Sequence, residues 1–229
     1  MPTNPFPLQW PVPEARVHTG RFVTLTPTDV EADLEALHAA GHDTAAARAL
    51  WQFLPCGPFA DAAGMREWIQ QWRARPDVVA FTVKSLDSGT PVGMISLMRI
   101  TPQHGVAELG FIWYAPTAQR TKVNTEAVYL LLRHLFDDLH YRRAEWKCDD
   151  RNERSKAAAM RLGFQFEGVF RQHMVIKGLN RDTAWFAMLD GEWPRRKAHL
   201  EHWLYGGEPV SLSQLNTDVC PSSFRDSGS

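Results

Sequence analysis

A strand, a polar loop and a long helix follow one another in the middle of the sequence. The strand is expected at Val106 to Tyr114, and Asn124 is expected to cap the following helix. A helix N-terminus attracts phosphate because its first N–H groups are unpaired and its dipole is positive there. We therefore expect this loop to bind the pyrophosphate of a cofactor; an ordinary strand-to-helix connection is the alternative. The main-chain N–H groups expected to do so belong to Arg120, Thr121, Lys122, Val123, Asn124 and Thr125.

The apolar pattern predicts the elements that hold this loop in place. Leucine and valine recur at helical spacing from Val128 to Leu139, which predicts an amphipathic helix. Alternation from Arg143 to Asp149 predicts a strand, and Ser155 to Leu162 is expected to form a short helix that Gly163 ends. Two strands connected through a helix run parallel, so this unit should place a parallel pair in the sheet.

The rest of the chain predicts one α+β domain whose mixed, mostly antiparallel sheet is flanked by helices and split at its middle. A hairpin turn is expected at Gly178-Leu179-Asn180, and Trp193 should open a last helix. The prediction divides the chain into a proline-rich arm at 1–16, the domain at 17–205 and a loose tail at 206–229. Further strands are expected at 22–25, 78–85, 91–100 and 164–169, and further helices at 29–40 and 61–75.

Bulk properties exclude several classes of protein. The 229 residues carry a formal net charge of −1, which gives no overall attraction to nucleic acid or to an anionic membrane. The three cysteines form no disulfide framework, and no apolar run approaches the roughly 18 residues of a membrane span. No signal peptide is recognised, so a cytoplasmic protein is predicted. No metal site is expected, because His38 and His42 lack acidic partners at ligand spacing.

Three motifs in this order resemble the GNAT acyltransferases, and most closely their RimJ/RimL-like branch. The first is Glu108-Leu-Gly-Phe-Ile-Trp, the second runs from Gln119 to Ala127, and the third is Asn152-x-x-Ser155 followed by Arg161-Leu-Gly-Phe. The resemblance implies an N-acetyltransferase that moves an acetyl group from acetyl-CoA, as co-substrate, to a primary amine by direct attack.

The resemblance also implies roles for individual residues. Glu108 is the candidate general base, with a surface cross-strand ion pair as the alternative. Ser155 is the candidate that protonates the leaving thiolate, although it could serve only as a helix cap. Asn152 is expected to contact the pantetheine arm. The main chain of three strand residues is expected to pair with the pantetheine amides; these are Ile112, Trp113 and Tyr114.

Two features leave alternatives open. The family's phosphate loop reads Gln/Arg-x-x-Gly-x-Gly/Ala, whereas Lys122 and Asn124 occupy its two small-residue positions. That departure suggests, as an alternative, a non-catalytic module that binds CoA, although Lys122 could supply a cation. Succinyl-CoA or another acyl donor is a further alternative if Arg99 or Lys147 reaches the acyl group. Tyr114 and Tyr141 are alternative acids.

The acceptor can be a small molecule, a protein or a peptide. An amine must be neutral to attack, which at pH 7 costs a lysine side chain about 4–5 kcal/mol and an α-amine about 1–1.5 kcal/mol. The aromatic loop Trp51 to Phe59 is expected to wall the acceptor cleft or to plug the space between two helices. A homo-oligomer is expected if Trp10, Trp193 or Trp203 is exposed.

Overall fold

The computed structural model of the chain describes residues 6–206 and 210–217. The strands are β1 (His18–Thr19), β2 (Val23–Pro27), β3 (Val79–Ser85), β4 (Pro91–Thr101), β5 (Val106–Tyr114), β6 (Arg143–Asp149), β7 (Gln165–Ile176) and β8 (Leu179–Leu189). The helices are α1 (Val30–His42), α2 (Ala45–Arg48), α3 (Ala62–Arg73), α4 (Lys122–Arg133), α5 (Glu153–Leu162), α6 (Trp193–Tyr205) and α7 (Leu212–Thr217).

Within the described residues the eight strands form one sheet in the order β1-β2-β3-β4-β5-β6-β8-β7. Every neighbouring pair is antiparallel except β5 and β6, which run parallel because α4 carries the chain across the sheet between them. The predicted βαβ unit and the α+β class with a mixed, mostly antiparallel sheet are therefore confirmed.

The sheet splits between its two parallel strands. β5 and β6 pair at three positions, the last joining Glu108 to Glu145, and then both strands continue unpaired with each other. A bulge in β5 sets Phe111 and Ile112 opposite the single residue Ile95, and Phe111 takes a φ of 47°. A bulge bends its strand, so β5 leaves β6 just beyond Glu108. The predicted split is confirmed.

Helices cover the two faces of the sheet differently. The helices α4 to α7 pack on one face in a cluster that includes Leu131 and Leu162. The helices α1 and α3 pack on the other face, where Leu37 and Ile69 cover the strands on the β3 side of the split. The split is therefore flanked on that face by α3 on one side and by the β7–β8 hairpin on the other.

Some predicted boundaries are wrong, for local reasons. The central helix begins at Lys122, two residues before Asn124, because the extended residue Thr121 caps it through its hydroxyl oxygen. The hairpin turn is Lys177-Gly178, where both residues have positive φ as a two-residue hairpin with a type I′ turn requires.

The N-terminal arm docks on the domain through Trp10. Its indole N–H donates to the carbonyl of His140 at 2.6 Å, and its side chain is buried. The described part of the predicted loose tail differs from expectation, because α7 packs Leu212 into the core and Asn216 accepts from Arg196 at 3.0 Å. Residues 1–5, 207–209 and 218–229, with Cys220, lie outside the described residues.

Two expectations about partners bear on these surfaces. Trp10 and Trp193 are buried and Trp203 is half-buried, so the exposure that would have indicated a homo-oligomer is not found at these side chains. Among the helices that the structure describes, none is long and apolar enough to cross a membrane.

Candidate active site

A cavity of about 1210 Å³ opens where β5 and β6 diverge. It runs from the N-terminal turn of α4, at Asn124, through the split to α3 and the β7–β8 hairpin. The structure thus brings together residues that the sequence places up to 47 positions apart, between Glu108 and Ser155. The predicted site residues that line it are Glu108, Ile112, Trp113, Tyr114, Asn124, Asn152 and Ser155.

The beginning of α4 has the geometry of an anion-binding site. The hydroxyl oxygen of Thr121 accepts the N–H of Val123 at 3.3 Å. The N–H groups of Lys122 and Asn124 lie in the first turn, where a helix offers them no acceptor of its own. The predicted loop residues Arg120, Thr121, Lys122, Val123 and Thr125 surround Asn124, the one of the six that reaches the cavity wall.

The two loop positions at which the family has small residues do not require glycine in this chain. Lys122 and Asn124 both have helical backbone, whereas the residue with a left-handed φ of 58° is Arg120. The sequence left open that Lys122 supplies a cation to this site; in the structure its ammonium nitrogen donates to the carbonyl of Leu204 at 2.6 Å and lies over the ring of Phe22. A long side chain at this position is free to turn away from the cavity.

A cation that the sequence analysis missed lies at this end of the cavity. The guanidinium of Arg161 donates to the hydroxyl of Thr125 at 2.9 Å and lines the cavity next to Asn124. No carboxylate of the described residues lies within 4.0 Å of it, and burial lowers the pKa of Arg161. Arg161 was part of the third motif, but only the packing of α5 against α4 brings it beside the loop.

Glu108 is the last residue at which β5 and β6 pair, and it is buried with 5% of its surface exposed. Its Oε2 lies 3.0 Å from Nζ of Lys147 and 3.2 Å from Nε of Arg99. Burial raises the pKa of Glu108, and the positive charges of Lys147 and Arg99 oppose that shift. The alternative, a cross-strand ion pair at the surface, is half right. Glu108 does form an ion pair with Lys147, but both side chains are buried and the pair borders the cavity.

Ser155 faces the cavity from the first turn of α5. Its hydroxyl oxygen accepts the indole N–H of Trp146 at 2.9 Å, which leaves its own O–H to donate elsewhere. The alternative role as a cap is wrong, because Asn152 caps α5 by accepting the N–H of Ser155 at 3.1 Å. The neighbouring thiol of Cys148 is buried, which raises its pKa and keeps it protonated.

The two alternative acids lie in different places. Tyr141 is buried outside the cavity lining and donates to the carbonyl of Pro11 at 2.9 Å. Tyr114 lines the cavity, and its hydroxyl lies 3.4 Å from the carbonyl oxygen of Asn124. Burial raises the pKa of both phenols, that of Tyr141 to about 12.

Aromatic residues and the 51–59 loop bound the far side of the split. Trp51 is fully buried against Trp113, with ring centroids 5.3 Å apart, whereas residues 52–55 line the cavity. The loop therefore acts as both a plug and a wall. Lys177 on the β7–β8 hairpin donates to the carbonyl of Trp51 at 2.7 Å and so connects the two sides of this opening. Trp68 and Trp72 of α3 also line it.

The two histidines of α1 are used in packing. The ring Nδ1 of His42 lies 2.9 Å from the carbonyl of His38, and its Nε2 accepts the N–H of Phe59 at 2.9 Å. Both nitrogens are therefore occupied by protein groups. Over the described residues, no group of three or more His, Cys, Asp or Glu could hold a metal ion.

The comparison with protein families agrees with this geometry. Residues 23–165 match the family described as Acetyltransferase (GNAT) domain. The chain belongs to the GNAT acetyltransferase family, whose reaction is transfer of an acetyl group from acetyl-CoA to an amine.

Relatives place it in the branch that the motifs indicated. YdaF of Bacillus subtilis (strain 168), which its name assigns provisionally as a ribosomal N-acetyltransferase, is 28% identical over 148 residues, covering 64% of this chain and 80% of YdaF. The ribosomal-protein-serine acetyltransferase of Escherichia coli (strain K12) is 30% identical over 98 residues, 43% of this chain and 54% of the relative. A crystal structure of a GCN5-related N-acetyltransferase from Brucella melitensis is 38% identical, with a TM-score of 0.88 over 93% of this chain and 98% of that one.

Proposed function

We propose that this acetyltransferase acetylates a primary amine by direct attack, with Glu108 as general base and Ser155 as general acid. The observation that carries the assignment is that both side chains face one cavity, which also reaches the N-terminus of α4. Glu108 lies at the apex of the split and Ser155 at the start of α5, so they border the split from two different elements.

The residues along the split fit acetyl-CoA. The N–H groups of Lys122 and Asn124 and the guanidinium of Arg161 provide positive charge for the diphosphate. Beyond Glu108 the edge of β5 has no partner in β6, so residues 112–114 can pair with the pantetheine amides as a neighbouring strand would. Asn152, which lines the cavity, is assigned to the same arm. When bound, acetyl-CoA supplies the activated acetyl group and the thiolate leaving group.

Glu108 is suited to take the proton of the attacking amine. Burial raises its pKa, which makes its ionised form a stronger base than an exposed glutamate. The positive charges of Lys147 and Arg99 oppose this shift and favour the ionised form. Glu108 takes the proton either directly or through one water molecule.

Ser155 is suited to return a proton to the leaving sulfur. The indole of Trp146 occupies an acceptor site on its oxygen and fixes the side chain, and the remaining hydroxyl hydrogen, which lies within reach of the Cys148 thiol, can turn to the sulfur of the leaving group. The amide of Asn152 fixes the main chain of Ser155 at the same time. Tyr114, which lines the same cavity, is the second candidate for this step.

The acceptor is proposed to be an α-amine of a small molecule or a peptide. The free energy needed to deprotonate an α-amine at pH 7 is about 1–1.5 kcal/mol, several kcal/mol less than a lysine side chain requires. The relatives named as ribosomal-protein acetyltransferases make a protein N-terminus the first acceptor to test.

Thermal unfolding and thiol release together test the proposal. Acetyl-CoA should raise the melting temperature, and CoA thiol should appear only when an amine is added. Failure of millimolar acetyl-CoA to shift the melting temperature would contradict the assigned cofactor site. Binding without thiol release over a broad panel of amines would favour the alternative of a non-catalytic module.

A further inference from the structure

The acceptor side of the cavity contains an arginine that has no acidic partner. Arg181 lies on β8, two residues before Thr183, the residue at which the pairing of β8 with β6 ends opposite Asp149. It is half-buried and lines the cavity. Side chains two residues apart on a strand share a face, so Arg181 lies on the same face of the sheet as Thr183.

The nearest carboxylates are neutralised by other cations. Asp149 accepts from the main-chain N–H, Nε and Nη2 of Arg151 at 3.0, 2.9 and 2.7 Å. Glu108 is held by Lys147 and Arg99. No carboxylate of the described residues lies within 4.0 Å of Arg181, and burial lowers its pKa even though Asp149 and Glu108 act in the opposite direction.

One hydrogen bond fixes this guanidinium and leaves its outer nitrogens available. Nε of Arg181 donates to the hydroxyl oxygen of Thr183 at 3.2 Å, and that oxygen lies 3.0 Å from Nδ1 of His173. Within the described chain, the two terminal nitrogens have no acceptor that meets hydrogen-bond geometry. A guanidinium presents these nitrogens as a fork that matches a carboxylate.

From this arrangement we infer that Arg181 binds a carboxylate carried by the acceptor, so that the acceptor is an amine with an acidic group close to the reacting nitrogen. Arg181 and Glu108 line one cavity from the two sides of the split, and the charge of Glu108 acts on Arg181, so the carboxylate and the amine of one molecule can reach the two groups. The inference rests on the proposed acetyl transfer and specifies its acceptor. Arg99 and Lys147, the cations considered for an acidic acyl group, are already paired with Glu108.

Matched peptides test the inference. The acceptors are three pairs of tripeptide amides in which an aspartate at the first, second or third position is replaced by asparagine, so each pair differs by one carboxylate. The wild-type protein should acetylate the aspartate member of at least one pair with a kcat/KM about 10-fold higher, as expected for a charge-assisted bidentate contact. Arg181→Gln should remove this preference mainly through KM, and Arg181→Lys should retain part of it.

A matched control and a second readout make the outcomes distinct. Arg171→Gln removes the same charge from an exposed position on β7 outside the cavity and should keep the preference. Equilibrium binding of each pair in the presence of CoA, measured by calorimetry, requires no turnover. The inference would be overturned if the wild type acetylated the aspartate and asparagine members of every pair with equal kcat/KM, or if Arg181→Gln kept the preference.

The source of the carboxylate is decided by comparing donors. Acetyl-CoA and succinyl-CoA are compared in the wild type and in Arg181→Gln with one neutral amine. A succinyl preference that the substitution abolishes would place the carboxylate on the donor and overturn the inference. If none of the tested amines caused thiol release, the proposed function would be contradicted separately. The equilibrium binding of the matched peptide pairs would then decide the role of Arg181.

Discussion

The ammonium nitrogen of Lys147 lies 3.0 Å from Oε2 of Glu108, with both side chains almost completely buried. The same nitrogen lies 2.7 Å from Oε2 of Glu145 and 3.9 Å from the ring centroid of Trp185. Lys147 therefore supplies the positive charge that opposes the effect of burial on Glu108. Because Glu108 borders the split, this pair sets how readily the proposed base ionises.

Removing Lys147 should shift the acidic side of the pH–rate profile. Burial already raises the pKa of Glu108, and Lys147→Met would remove the main charge that opposes this shift. Glu108 must be ionised to accept a proton, so activity should be lost as pH falls through its pKa, and this loss should begin at a higher pH in the variant. The measurement is kcat against pH at saturating amine.

The control for this prediction is Glu108→Gln, which keeps the size of the side chain and removes the base. It should lower kcat by about 100-fold or more. In its background, Lys147→Met should no longer shift the acidic side of the pH–rate profile. A profile for Lys147→Met that coincides with that of the wild type would show that another group limits the rate at low pH. Near-UV circular dichroism checks that both variants keep the packing of Trp185.

Replacing Ser155 should slow the reaction without weakening CoA binding. Ser155→Ala removes the proposed proton donor to sulfur and should lower kcat by about 100-fold, the lower end for general acid catalysis. Trp146→Phe removes only the indole N–H that fixes the hydroxyl at 2.9 Å, so its loss should be smaller. The dissociation constant of CoA, measured by calorimetry, should stay within about 2-fold. A normal kcat in Ser155→Ala would transfer the role to Tyr114.

Arg161 should contribute to binding of the diphosphate and not of the pantetheine arm. Arg161→Gln should weaken CoA binding by about 10-fold, because a charge-assisted contact to phosphate is lost at the end of α4. Pantetheine lacks the diphosphate and provides the control, since its affinity should not change. An equal loss for CoA and pantetheine would indicate that the substitution disturbs Thr125 and the loop in general.

Acid should destabilise the fold partly through His18. Burial lowers the pKa of His18 from 6.5 to about 4, and the neighbouring ring of His134 lies 4.8 Å away. Between about pH 6.5 and about pH 4, His18 is protonated in the unfolded chain and mostly neutral in the folded protein. The free energy of unfolding therefore falls as pH falls through this range, by at most about 3 kcal/mol. Urea unfolding of the wild type and His18→Phe at pH 7 and pH 4.5 measures the effect.

The phenylalanine variant keeps an aromatic ring against Phe81, whose centroid lies 5.5 Å from that of His18. Because this ring cannot titrate, the variant should lose less stability between the two pH values. Equal losses in both proteins would assign the acid sensitivity to other groups, such as His134, whose pKa burial also lowers.

Much of the fold could be predicted from the sequence. β5 and β6 were predicted at their observed bounds, and in β6 the prediction rested on an alternation of apolar and polar residues that depends on neither neighbouring strand. The cap of α4 was missed by three residues because Thr121 and Asn124 are both good caps, and only the backbone shows which of them is extended. The loose tail was predicted from composition, which does not report that Leu212 has a core to enter.

The sequence by itself determined the order of the elements, the family and the two residues proposed for catalysis, because these depend on local patterns and spacing. Only the tertiary structure decided where the charges lie: Lys122 turns to Leu204, Arg161 reaches the first turn of α4, and Arg181 is left without an acid within the described residues. The physical reason is that a pKa, an ion pair and a binding cleft depend on distances between groups far apart in sequence. Those distances are fixed only when the bulge in β5 opens the sheet and the helices close over it.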